Sequence, residues 1–176
     1  RYILHQVDVS SLVTVICKQM DSKTFGIGTM DPPVRVEENF EKGLTLLTLL
    51  IPYINSPHCN HSRNCCQEIV NTFAASLSYK WHTLTLDPEW KWKFQVMGIN
   101  GISLCVLELS QYLQPSDMSK VIDAVMTYLS VTNDATYEFA LHGGLSNAQS
   151  KRTPVSVQIL EFLRLVTAGD GRALEQ

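Results

Sequence analysis

No charge of one sign dominates this sequence. Fourteen Lys and Arg stand against seventeen Asp and Glu, for a formal net charge of -3. Binding to nucleic-acid phosphates draws on a broad positive field, and binding to an anionic membrane draws on a basic patch. Neither partner is expected here. Long apolar runs are also lacking. The longest, Leu44 to Ile54, is broken by Thr45, Thr48 and Pro52 and is about half of the ~20 residues that a membrane span needs. It reads as a buried helix. The start of the chain has no basic stretch followed by an apolar core and a small-residue cleavage site. With Arg1 in first place, the expectation is one domain over residues 1–176, or a section of a larger intracellular protein.

Motifs for cofactors and catalysis are missing too. Gly26-Ile27-Gly28 is too short for a dinucleotide fingerprint, and no phosphate loop with its Lys and Ser/Thr occurs. His142-Gly143-Gly144 matches part of an oxyanion-hole motif, but the companion Gly-x-Ser-x-Gly is absent. It reads instead as a helix end closed by glycine. No cofactor and no catalytic residue is therefore assigned. Cysteines number five, an odd count that does not suggest a disulfide framework. Cys17 and Cys105 sit among Val, Ile and Leu, where a thiol acts as a small hydrophobe. That usage points to a reducing compartment, cytoplasmic or nuclear. Against it stands the glycosylation sequon Asn60-His61-Ser62.

What the sequence does have is helical periodicity. Phe40, Leu44, Leu47, Ile51 and Ile54 form one stripe of a helix over about 38–55. Leu46, Leu49, Leu50 and Tyr53 form a second, which predicts cover on two sides. Residues 24–36 read as a loop ahead of it. A further helix is predicted over 65–79, with Asn64 as its cap and Gln67 at the capping-box position. Asp87-Pro88 starts another that runs to about Leu113. Gly98 and Gly101 either kink that helix or let a neighbour approach closely. Ser116 is expected to cap a helix carrying Met118, Val121, Ile122, Val125 and Leu129. A weaker helix over 135–141, a polar stretch over 146–152, a last helix opened by Thr153-Pro154 and a frayed tail from Asp170 complete the chain. At the front, Val9, Leu12, Val13, Ile16 and Met20 fit a helix better than the alternative strand.

Two segments could carry chemistry. Between Pro57 and Cys66 lie five potential zinc ligands: His58, Cys59, His61, Cys65 and Cys66. Cys59, His61 and Cys65 could converge from one loop, with His58 or Cys66 as the fourth. The spacing is not that of a standard finger, and no second ligand pair follows. The plainer reading is a polar loop in a helix hairpin. The same loop offers a reactive thiol: Cys65 near a helix start and beside Arg63, with His61 or His82 as base. The second segment mixes Trp81, Trp90 and Trp92 with Lys80, Lys91 and Lys93. Trp90 falls in line with Phe94 and reads as core. Trp92 lies off that face and is the candidate partner-binding residue.

The helix pairs at 40–80 and 88–129 each span about 40 residues, so the chain resembles a HEAT or armadillo-type helical repeat in helix length and pairing. The expected fold class is all-α: antiparallel helix hairpins, stacked as a short array or packed as a compact bundle. Stacked hairpins build extended surfaces for proteins or peptide segments. The resemblance therefore implies an interaction module or scaffold rather than an enzyme. The alternatives are a metal- or cysteine-dependent enzyme at the 59–66 loop and a secreted helical bundle. No feature of the sequence fixes an oligomeric state.

Overall fold

Asp8 opens the first helix. Its carboxylate accepts hydrogen bonds from the backbone N–H of Ser10 at 3.2 Å and Ser11 at 3.3 Å, which satisfies donors that a helix start leaves unpaired. In this computed structural model residues 8–21, 33–57, 59–78, 88–131 and 155–169 are described. Helix α1 (Val9–Gln19) buries Val9, Val13 and Ile16 on one face, so the helical period prevails over the β-branched alternation.

Helix α2 (Pro33–Ile54) begins within the segment expected to be loop. Proline at a first helical position loses no bond, because that N–H has no partner in a helix anyway. The first apolar stripe holds: Phe40, Leu44, Leu47, Ile51 and Ile54 are all fully buried. The second does not. Leu50 is buried, but Leu46, Tyr53 and Leu49 (61% exposed) face outward. The helix is thus packed along one broad face, not between neighbours on two sides.

Helix α3 (Ser62–Ser78) starts three residues before the predicted position. Asn64 therefore lies inside the helix rather than capping it. The turn is set by Ser62, whose hydroxyl donates to the carbonyl of Ile54 at 2.7 Å and tethers the start of α3 to the end of α2. Helix α4 (Pro88–Glu108) runs unbroken through Gly98 and Gly101. Of the two readings for these glycines, close approach is the one observed. A Cβ at Gly98 would meet the Leu77 backbone nitrogen at 2.7 Å and the Phe73 carbonyl at 2.8 Å, and one at Gly101 would run into the Phe73 ring. Side chains bond across the same crossing in both directions. Ser76 donates to the Phe94 carbonyl at 2.6 Å, and Gln95 donates to the Leu77 carbonyl at 3.3 Å. On its other side α4 meets α2 through an edge-to-face pair, Phe40 and Phe94, with ring centroids 4.7 Å apart.

Helix α4 stops at Glu108, and a 3₁₀ turn, Ser110–Tyr112, follows. That turn is fastened to the end of α2, since Gln111 and Tyr112 both donate to Asn55 Oδ1, at 2.6 and 3.1 Å. Helix α5 (Pro115–Val131) has proline at its first position. The capping reading is corrected here: Ser116 lies within the first turn, and the side chain of Asp117 reaches back to the N–H of Gln114 at 3.0 Å. Helix α6 (Val155–Gly169) buries Ile159 and Phe162. The expected helix at 135–141, the polar stretch at 146–152, the Thr153-Pro154 start and the tail from Asp170 lie outside the described residues.

Among the described residues there is no strand, and the packing is helix on helix. Helix α3 lies against α1 and α5, while α4 lies against α2 and α6. The two sets are joined chiefly where α3 crosses α4, with α1 on α2 and α2 on α3 adding to the seam. One apolar core runs through the whole and includes Cys59, Cys65, Cys66 and Cys105. No helix among the described residues is long and apolar enough to cross a membrane.

Candidate functional site

Among the described residues, the cysteine-rich turn between α2 and α3 does not gather its potential ligands into one site. Cys59 and Cys65 meet, with their sulfurs 3.8 Å apart and both side chains buried. Cys66 is adjacent in sequence but turned about 100° around the helix axis, and there it feels the carboxylate of Asp117. His61 is exposed. His58 and His82 lie outside the described residues. Among the described residues no three His, Cys, Asp or Glu side chains come together as a metal site.

Cys17, Cys65, Cys66 and Cys105 are also not activated. The expected lowering of the Cys65 pKa is overturned: burial, reinforced by the neighbouring Cys59, pushes it up to about 12. Arg63 is exposed to solvent. Burial likewise raises Cys17 to about 12 and, with the Asp117 charge, Cys66 to about 11. Cys105 is displaced upward still further, again by burial. A nucleophilic cysteine works as its thiolate, which these four sites suppress.

Trp92 is half-buried and packs against the core, as does Trp90. The two tryptophans are therefore less different than their register suggested. Trp90 stacks at a tilt on Phe94, centroids 5.5 Å apart, and Lys93 Nζ stands 4.8 Å over its ring. Lys93 also pairs with Glu41 at 2.8 Å. With Leu46 and Thr45 these groups line a hollow of about 720 Å³ between α2 and α4. Trp81, Lys80 and the segments at 26–28 and 142–144 lie outside the described residues.

A second surface feature is one the sequence did not suggest. The face of α3 between α1 and α5 forms the floor of a groove made of two adjoining hollows, of about 560 and 210 Å³. Asn71, Ala75 and Lys120 line both. Small residues on α3 keep this floor low: Ala74, Ala75 and Ser78 follow Asn71 along it. The α1 wall is held by Thr14, whose hydroxyl donates to Glu68 of α3 at 2.9 Å. Lys18 and Lys120 stand on opposite walls, and Asp21 and Asp123 lie beside them, so the rim is mixed in charge. In the floor, Asn71 Oδ1 is hidden from solvent and accepts no hydrogen bond. A buried amide oxygen without a donor costs about 1–3 kcal/mol.

In comparisons with protein-family models, curated proteins and solved structures, no match to this chain was found.

Proposed function

We propose that this chain is a protein-interaction module, a short stack of antiparallel helix hairpins of the HEAT or armadillo kind that takes an extended segment of another protein along α3. The observation that carries the reading is the groove between α1 and α5, with the polar side chain of Asn71 lining both of its hollows. A peptide backbone presents donors and acceptors at regular spacing, and the Asn71 amide would bond one of them. Alternation in the packing supports the stack: α1, α3 and α5 are neighbours in turn, as are α2, α4 and α6. That is how successive hairpins lie when each packs on the one before. The mixed charge of the rim fits a protein segment better than a polyanion. Trp92 is not offered as the anchor, because its side chain is half-buried on the core. The module would act in the reducing cytoplasm or nucleus, where its thiols remain free.

The test is selection of binders from a library of displayed random peptides, followed by Asn71→Leu, which keeps the side chain's size and removes its polar atoms. Loss of one buried hydrogen bond worth about 1–3 kcal/mol should weaken selected peptides by roughly 5- to 150-fold, with the melting temperature of the variant no lower than that of the wild type. Peptides whose affinity ignores Asn71→Leu would place the binding surface elsewhere. Failure to select any peptide tighter than about 100 µM, near 5–6 kcal/mol of binding, would refute the reading.

A further inference from the structure

We infer that Cys59 and Cys65 are a redox-responsive pair that closes into an intramolecular disulfide across the α2–α3 turn when the chain meets a small-molecule disulfide of the glutathione class. Their sulfurs are already in contact at 3.8 Å. The backbone at both ends of the pair is fixed. Cys59 N–H donates to Ser56 at 3.1 Å and Cys65 N–H to His61 at 3.0 Å. Ser10 of α1 packs onto the same spot: its hydroxyl lies 3.5 Å from the Cys59 sulfur and accepts from the His61 N–H at 3.3 Å. Each sulfur is thus held beside the other, which gives the second thiol a high effective concentration once the first has reacted.

The two cysteines differ in access, and this assigns the order of events. Cys59 retains 8% of its surface at the rim of the turn, whereas Cys65 retains 1%. Cys59 as thiolate attacks one sulfur of the small disulfide, expelling one small thiolate and leaving a mixed disulfide. Cys65 then gives up its proton, attacks the Cys59 sulfur and expels the second small thiolate. Both expelled thiolates take up the protons that the cysteines lost. The balance is two protein thiols and one small disulfide giving one protein disulfide and two small thiols. Cys65 is a weak acid in the reduced protein, partly because of Cys59 itself. That part of the opposition ends when Cys59 enters the mixed disulfide and can no longer ionise. The product holds the turn to the first coil of α3, against the same Ser10 that anchors it to α1.

The experiment equilibrates the whole chain with mixtures of oxidised and reduced glutathione, blocks remaining thiols by alkylation, and weighs the protein. Three of the five cysteines should take up the alkylating agent in the oxidised form and all five in the reduced form. Trypsin cuts after Arg63, between the two cysteines, so their peptides should separate only after reduction. Cys66→Ala should leave this behaviour intact, and Cys65→Ser should abolish it. The inference is overturned if five free thiols persist at every ratio, if only glutathione adducts form, or if the link survives Cys65→Ser through Cys66.

Discussion

At position 98 of α4, helix propensity and packing make opposite demands, and their difference can be measured. Alanine in place of glycine favours a helix by about 1 kcal/mol where the site faces solvent. Gly98 does not. Its added methyl would stand 2.7 Å from the Leu77 nitrogen and 2.8 Å from the Phe73 oxygen, where ordinary contact begins at 3.4 Å. Both neighbours are backbone of α3 and cannot rotate away, so the two helices must separate. Separation also loosens the bond from Ser76 to the Phe94 carbonyl and the fit of Phe94 on Phe40. Overpacking of this kind costs about 1–3 kcal/mol and sometimes more. Set against the propensity gain, Gly98→Ala should lose up to about 2 kcal/mol, a fall in Tm of up to roughly 8 °C for a chain of this size. Gly43→Ala is the internal control. There the methyl meets only the flexible side chain of Met20, so the change should be close to neutral. Thermal and urea unfolding of the two variants beside wild type decide the matter. If Gly98→Ala is more stable than wild type by the full propensity gain of about 1 kcal/mol, the close crossing of α3 and α4 is wrong.

Gly101→Ala should also destabilise, because its methyl would overlap the Phe73 ring, and Phe73→Leu in the same chain should recover part of the loss. A double-mutant cycle of unfolding energies that shows no coupling would contradict that contact. Hydrogen bonds from the Ser11 hydroxyl first, and from the Ser10 and Ser11 N–H groups, hold the Asp8 carboxyl below its usual 3.8. A depressed carboxylate contributes stability that is present above 3.8 and is lost as pH falls through the lower folded value. The Tm gap between wild type and Asp8→Ala should therefore be full near neutrality and shrink as pH drops below 3.8; a gap independent of pH would exclude the carboxylate as the cap. Cys65, Cys17 and Cys66, raised to about 12, 12 and 11, should react with an aromatic disulfide at pH 8 at least ~100-fold slower than a free thiol, and at ordinary rates in urea. Fast labelling of Cys66 in the folded protein would overturn its burial.

Helix interiors were legible in the sequence because a stripe such as Phe40, Leu44, Leu47, Ile51 and Ile54 states its period locally. Helix starts were less so. Asn64 and Ser116 are good caps by composition, yet α3 starts at Ser62, whose hydroxyl donates to a carbonyl eight residues back, and at the start of α5 Asp117 accepts from the N–H of Gln114. Those choices depend on where the preceding helix ends. The exposed second stripe of α2 misled for a related reason: an apolar pattern states what a surface prefers, not what lies opposite it. The cysteine cluster was visible as a cluster, but not that Cys65 would turn to Cys59 while Cys66 entered the core on another side. The groove was invisible, since α1, α3 and α5 are distant in sequence and Asn71 belongs to no motif.

The position of α3 has a consequence for how the molecule opens. It is packed by α1, α2, α4 and α5, whereas α5 leans mainly on α3 and α6 mainly on α4. Amide protons in the middle of α3 and in the stretch of α4 around Gly98 should then exchange with solvent only when the whole chain unfolds, and those of α5 and α6 through smaller openings that release one helix at a time. Helix α5 also forms one wall of the groove. A segment lying in it would stop α5 from leaving, so occupancy would be recorded as slower exchange in a helix that contributes little of the groove's floor.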